Sequence, residues 1–158
     1  MNREKIIEAF SFLGEFMSQF QSFETEKRDI VLNDEFYETF SSAIYSAKIH
    51  NGWFEEKQVR RSIKAISQWL TQDVLNKWVS NYDFTVNSKR VAVIMAGNIP
   101  LVGFHDFICV LISGNKVLVK LSSEDKVLLP LLAKVLICID HRFEEYIKFT
   151  YDRLDNFD

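Results

Sequence analysis

The sequence predicts an α/β protein: a helical N-terminal region over residues 1–81, then the first part of a parallel-sheet domain over residues 82–158. Three observations carry this. Before residue 82, apolar residues recur at steps of three and four, the period of a helix face. After it, short β-branched runs alternate with stretches long enough for a helix. The spacing of those runs is that of strand–helix–strand units, whose right-handed crossovers make neighbouring strands parallel.

The first helix carries Ile6, Phe10, Leu13, Met17 and Phe20 on one stripe. A second is expected to begin at Asn33, a residue type that caps free helix amides, and to continue through Phe36, Phe40, Ile44 and Ala47. His50-Asn51-Gly52 reads as its stop. A third spans Glu55 to Leu70 and a fourth Thr71 to Ser80, the latter expected to bury Val74, Leu75 and Trp78. Arg90 to Ala96 (RVAVIMA) reads as a strand covered on both faces, broken by Gly97. Pro100 to Ser113 has room for a helix, stopped by Gly114-Asn115. Lys116 to Leu121 (KVLVKL) is the second strand, and Ser122 to Asp125 a helix-start cluster, with Ser122 and Ser123 as caps. That helix runs to Ile139, and Tyr146 to Tyr151 alternates as a third strand. Three parallel strands leave exposed edges. The chain therefore reads as the beginning of a longer protein, or as a small sheet completed by a partner, and a homo-oligomer is expected.

Composition excludes several classes. The 158 residues are 47% hydrophobic with only five Gly and two Pro, so the chain is neither disordered nor low in complexity. A net charge of −3 gives no reason to expect nucleic acid as a partner. Val127 to Ile139 is apolar but contains Lys134 and falls short of the roughly 18 residues that a membrane span needs. No signal peptide is visible, and the two cysteines, Cys109 and Cys138, lie in apolar runs that predict small buried thiols. These features predict a cytoplasmic protein without a transmembrane segment. Three scattered histidines offer no metal-ligand spacing, so no metal is expected.

The dinucleotide fingerprint and the phosphate-binding loop are both missing. Ala96-Gly97-Asn98-Ile99-Pro100 nevertheless sits where a strand ends and a helix follows, and open parallel sheets bind ligands at that edge. An Asn side chain there can donate to a developing oxyanion, or it can simply cap the helix. Lys120, at the same edge, could reach a ribose or phosphate or stand solvated. His105 and Asp106 are sequence neighbours and diverge on a helix, so they form no dyad. Cys109, inside FICVLI, reads as an inert thiol rather than a nucleophile.

Val91 to Asp125, VAVIMAGNIPLVGFHDFICVLISGNKVLVKLSSED, resembles the first cofactor-binding segment of the aldehyde dehydrogenase superfamily. The counterparts are Asn98-Ile99-Pro100-Leu101, Ser113-Gly114-Asn115 and Lys120-Leu121-Ser122-Ser123. The Gly97 turn and the SSED ending are most similar to the long-chain acyl-CoA reductases, which include the fatty-acid reductase of bacterial bioluminescence. The resemblance implies a Rossmann-like cofactor domain. Asn98 would be the oxyanion donor facing a thioester or aldehyde carbonyl. The backbone of Met95, Ala96 and Gly97 would border the nicotinamide, Lys120 would bind the adenosine ribose, and Ser122 and Ser123 would line that end.

Leu121 replaces the family's usual proline. Ser123 stands where many NAD-using members place a glutamate, which implies NADP, with NAD possible and Glu124 one residue away. The nucleophilic cysteine of the superfamily lies downstream, and neither Cys109 nor Cys138 occupies its place. The resemblance thus implies the N-terminal portion of a reductase that turns long-chain acyl-CoA into aldehyde through a cysteine acyl-enzyme, with this segment inactive alone. Two rival readings are a non-enzymatic α/β binding or interaction module and an aldehyde dehydrogenase oxidising free aldehydes.

Overall fold

The computed structural model describes residues 1–24, 27–85 and 87–158. Four helices come first: α1 (Arg3–Ser18), α2 (Asn33–His50), α3 (Glu56–Trp69) and α4 (Gln72–Val79). Then follow β1 (Arg90–Ile94), α5 (Phe104–Ile112), β2 (Lys116–Lys120), α6 (Leu128–Ile139), a 3₁₀ turn at His141–Glu145 and β3 (Ile147–Thr150). The three strands are parallel in the order β1-β2-β3, with Val91 opposite Val117 and Val117 opposite Ile147. The fold is α/β, as the sequence predicts.

Both crossovers step the same way, so right-handed connections place α5 and α6 on one face of the sheet. Strand alternation sends Val91, Val93, Val117, Val119, Ile147 and Phe149 toward that face. Helix α1 packs over α5 and α6 and against α3 and α4, and its residues Ile6, Phe10, Leu13, Phe16 and Met17 are almost wholly buried. Asn2 begins it by accepting from the Lys5 amide at 3.0 Å. Phe10 touches Phe104 of α5 edge-on at 6.3 Å and Phe143 of the 3₁₀ turn at 5.9 Å. Residues 1–81 and 82–158 therefore share one continuous core.

The opposite face of the sheet carries no helix among the described residues. After β3 the chain returns to the far edge, where the Asp158 amide donates to Arg90 O at 3.0 Å and the Arg90 amide to Asp158 Oδ2 at 2.8 Å. Leu118, which points to this face, is only 3% exposed. Among the described residues, no helix is long and apolar enough to cross a membrane.

Several local expectations need correction. Asn33 does not cap α2 but is its first residue. Its buried amide pairs with Gln19, donating to Gln19 Oε1 at 2.7 Å and accepting from Gln19 Nε2 at 2.9 Å. Val74 is exposed and Trp78 only half-buried, because α4 turns Leu75 and Val79 inward. It is β2 that is covered on both faces; β1 is an edge strand, and Ile94 is 73% exposed. Pro100 to Gly103 forms a turn, so α5 begins only at Phe104. Helix α6 begins at Leu128, too far along for Ser122 or Ser123 to cap it. Cys138 is exposed, because α6 buries Val135 and Leu136 and leaves position 138 on its outer side.

Gly14 marks the closest approach of α1 to the end of α3. A Cβ there would lie 2.5 Å from Leu70 Cβ and 2.6 Å from Leu70 O. In a free helix alanine is the better residue by about 1 kcal/mol. Here overpacking wins, and Gly14→Ala is expected to destabilise the fold by about 1–3 kcal/mol, read as a lower denaturant midpoint. A raised midpoint would show that the two helices can part without cost.

Candidate functional site

The carboxyl ends of β1 and β2 lie side by side, with the Met95 amide donating to Lys120 O at 2.9 Å. This brings the loop 95–101 against the loop 120–125. A Cβ on Gly97 would overlap the Ser122 hydroxyl, so only glycine allows the two loops to approach this closely. The six residues expected to border a cofactor fall on this one edge. Met95 is buried, its thioether against Gly103, while Ala96 and Ser123 are exposed and Gly97, Lys120 and Ser122 half-buried. Ser122 Oγ accepts from the Glu124 amide at 3.2 Å, and Ser123 Oγ donates to Glu124 Oε1 at 3.1 Å.

Asn98 stands exposed in the turn after β1. It caps nothing: α5 starts six residues later with Gly103 at its cap position. Among the described residues, no hydrogen bond of the Asn98 side chain is present, so its two N–H groups are free to donate. Leu101, three residues on, has a φ of 59°, a left-handed conformation that costs a non-glycine residue energy. It is held there by its buried side chain and by Asp125 Oδ2, which accepts from the Leu101 amide at 3.4 Å.

Burial pushes the Asp125 carboxyl above its ordinary range, while the backbone amides of Leu101, Leu128 and Val127 oppose that by favouring the charged form. The helical region reaches the same loops through Asn51, whose Nδ2 donates to Gly97 O at 3.0 Å and Glu124 O at 3.4 Å. Sequence reasoning placed Asn51 only in a helix stop and Asp125 only at a helix start. Hydrogen-bond partners 46 and 73 positions away leave no local signal.

Ser113-Gly114-Asn115 lies at the other end of the sheet. Gly114 has a φ of 90° and ends α5, while Asn115 Oδ1 accepts from the Lys89 amide at 2.9 Å and so fixes the start of β1 beside β2. Neither thiol is shifted toward its thiolate form. Cys109 is half-buried, not enclosed, on α5, and both desolvation and the Asp106 charge raise its pKa. Desolvation and the Glu35 carboxylate raise that of Cys138. His105 approaches Asp106 no closer than 3.9 Å, too far for a hydrogen bond. A cavity of about 420 Å³ lies beside this helix, against Trp78, Tyr82, His105 and Cys109. Among the described residues, no group of three or more His, Cys, Asp or Glu side chains could hold a metal ion.

Fold and edge together define a class: parallel α/β proteins that receive ligands at the carboxyl ends of their strands. Within that class, the family profile of acyl-CoA reductase (LuxC) matches residues 1–152, and the chain belongs to this family. At family level it is an acyl-CoA reductase, an oxidoreductase acting on a fatty acyl substrate with a nucleotide cofactor. No curated protein and no solved structure matches the chain at a significant level.

Asp125 provides a test of how this edge is held. The native state prefers its protonated form, so its contribution to stability is full below the unfolded value and is lost as pH rises through the native one. Asp125→Asn keeps an acceptor for Leu101 and removes the charge. Its denaturant midpoint is expected to gain on the wild type as pH rises from below the ordinary carboxylate range through the raised native value. A difference that does not vary with pH would show that the carboxylate is not desolvated.

Proposed function

We propose that this chain forms the oxyanion-binding and cofactor-binding edge of a reductase that converts long-chain acyl-CoA to the aldehyde with NADPH. The observation that carries the reading is the unengaged amide of Asn98, in a strained turn at the carboxyl end of β1, in a chain of the acyl-CoA reductase family. A thiolate from sequence that follows this segment attacks the thioester carbonyl, and CoA leaves as its thiol from the tetrahedral intermediate. Asn98 donates to the oxygen that becomes negative in that intermediate. NADPH, when bound, supplies the hydride that releases the acyl group as aldehyde.

The residues that this reading assigns to the cofactor share one edge of the sheet. The backbone of Met95, Ala96 and Gly97 would border the nicotinamide, Lys120 would bind the ribose, and Ser122 and Ser123 would line the adenosine end. Both thiols are free, which suits a reducing cytoplasm. The exposed Ile94, which ends the edge strand, and Ile99 in the turn after it suit either further sheet from the same protein or a homo-oligomer.

In the complete reductase, Asn98→Ala is expected to lower kcat by roughly 10²–10³ with a smaller change in cofactor affinity. Steady-state kinetics with a long-chain acyl-CoA, following nicotinamide absorbance and free thiol, would show this. Unchanged turnover in a folded variant would remove the oxyanion role.

Ser123 is exposed and uncharged, which would suit a 2′-phosphate, but the Glu124 carboxylate within 3.1 Å of its hydroxyl works against one. The two side chains are therefore expected to shift cofactor preference in opposite directions. Glu124→Gln raises the NADPH to NADH ratio of kcat/KM, and Ser123→Glu lowers it, each by roughly tenfold through like-charge repulsion. Equal ratios in both variants would show that this loop does not read the phosphate.

A further inference from the structure

We infer that Asn51 is a positioning residue for the reductase site, the strut by which the helical N-terminal region fixes both loops at the carboxyl edge of the sheet. The inference rests on the reading of Asn98 above and deepens it. Asn51 ends α2 and is only 5% exposed. All of its polar groups are engaged. Its backbone amide donates to Ala47 O at 3.1 Å, and its carbonyl accepts from Phe54 at 2.9 Å. Oδ1 accepts from the Trp53 amide at 2.9 Å, which fixes the side chain's orientation. Nδ2 is then aimed at two carbonyls, Gly97 O and Glu124 O.

Those two carbonyls choose the role. Gly97 immediately precedes Asn98, and Glu124 lies between Ser123 and Asp125. One amide group thus spans the loop that presents the oxyanion donor and the loop that lines the adenosine end. A buried, fully paired amide of this kind has one good orientation, because reversing it would set an acceptor against two carbonyls. The chain from Gly97 to Leu101 contains a left-handed leucine and would relax if it were released. Asn51 opposes that relaxation from one side, and Asp125 from the other.

The test has two arms. In the 158-residue chain, backbone amide exchange is measured for the wild type, Asn51→Ala and the near-isosteric Asn51→Asp, which replaces the donor by an oxygen. The expected result is exchange faster by at least about tenfold at Leu101, Val102 and Glu124, with the amides of α1 and α3 little changed. Unchanged exchange at those loop amides, or a uniform rise across the molecule, overturns the proposal. Asn51→Asp removes no side-chain volume, so it keeps this arm decisive if the alanine variant does not fold.

In the complete reductase, Asn51→Ala is expected to lower kcat by about tenfold or more with the acyl-CoA KM nearly constant. It should cause no further loss in an Asn98→Ala background. Equal losses in both backgrounds overturn action through Asn98, since a merely structural residue would show that additivity. If Asn98→Ala itself leaves kcat intact, the oxyanion reading fails, and the exchange arm alone decides whether Asn51 holds the loops.

Discussion

The burial of α1 between the sheet-covering helices and the outer helices is the constraint on which the rest of the molecule depends. A three-stranded parallel sheet with two crossover helices leaves the outer sides of those helices apolar and bare. Helix α1 supplies the missing layer. Phe10 reaches α5 and the 3₁₀ turn through its ring contacts, while Phe16 and Phe20 meet Phe40 of α2 at 5.6 and 4.9 Å. The same helix is held at its end by Arg60 of α3, which donates to Phe20 O at 3.0 Å and Ser22 O at 2.8 Å. The helical region is therefore a structural layer of the α/β unit, and its residues can be placed against the site with the precision of a shared core.

That precision matters because the site edge is not built from favourable local geometry. Three features there each carry a cost: a left-handed leucine, a desolvated carboxylate, and two loops packed too closely for any residue but glycine at position 97. Each is tied to another. Asp125 accepts from the strained Leu101, and Asn51 donates across the close-packed loops. The net effect is a turn that displays Asn98 with its amide uncommitted. In the proposed role Asn98 would donate to a charge present only during reaction, and such a donor is best left without a ground-state partner.

Much of this was legible in the sequence, and the failures have physical causes. Helical periodicity located α1 to α4, apolar runs rich in valine located β1 and β2, and alternation of bulky and polar residues located β3. Asn33 was misread as a cap because a capping residue type at a helix start gives no hint of a distant partner, and its amide is claimed by Gln19. Strand β1 read as doubly covered because RVAVI is as apolar as KVLVK; only sheet order makes one an edge and the other a centre. Within the site, the edge that gathers residues 95–98 and 120–123 followed from strand topology alone. The supports at Asn51 and Asp125 did not, because a buried hydrogen bond across the fold has no period and no motif.

The absence of a cap at Asn98 follows from the turn that comes after it. Had α5 begun at Pro100, the Asn98 side chain would have been drawn onto the first free amides of the helix, its ordinary use at a helix start. The Pro100–Gly103 turn delays the helix to Phe104, beyond the reach of residue 98. That delay depends on Leu101 staying left-handed, which depends in turn on its burial and on the Asp125 acceptor. The positive end of a helix dipole still points toward this edge from the start of α5, now one turn farther from Asn98. The strain at Leu101 is thus what separates the donor from the helix that would otherwise consume it.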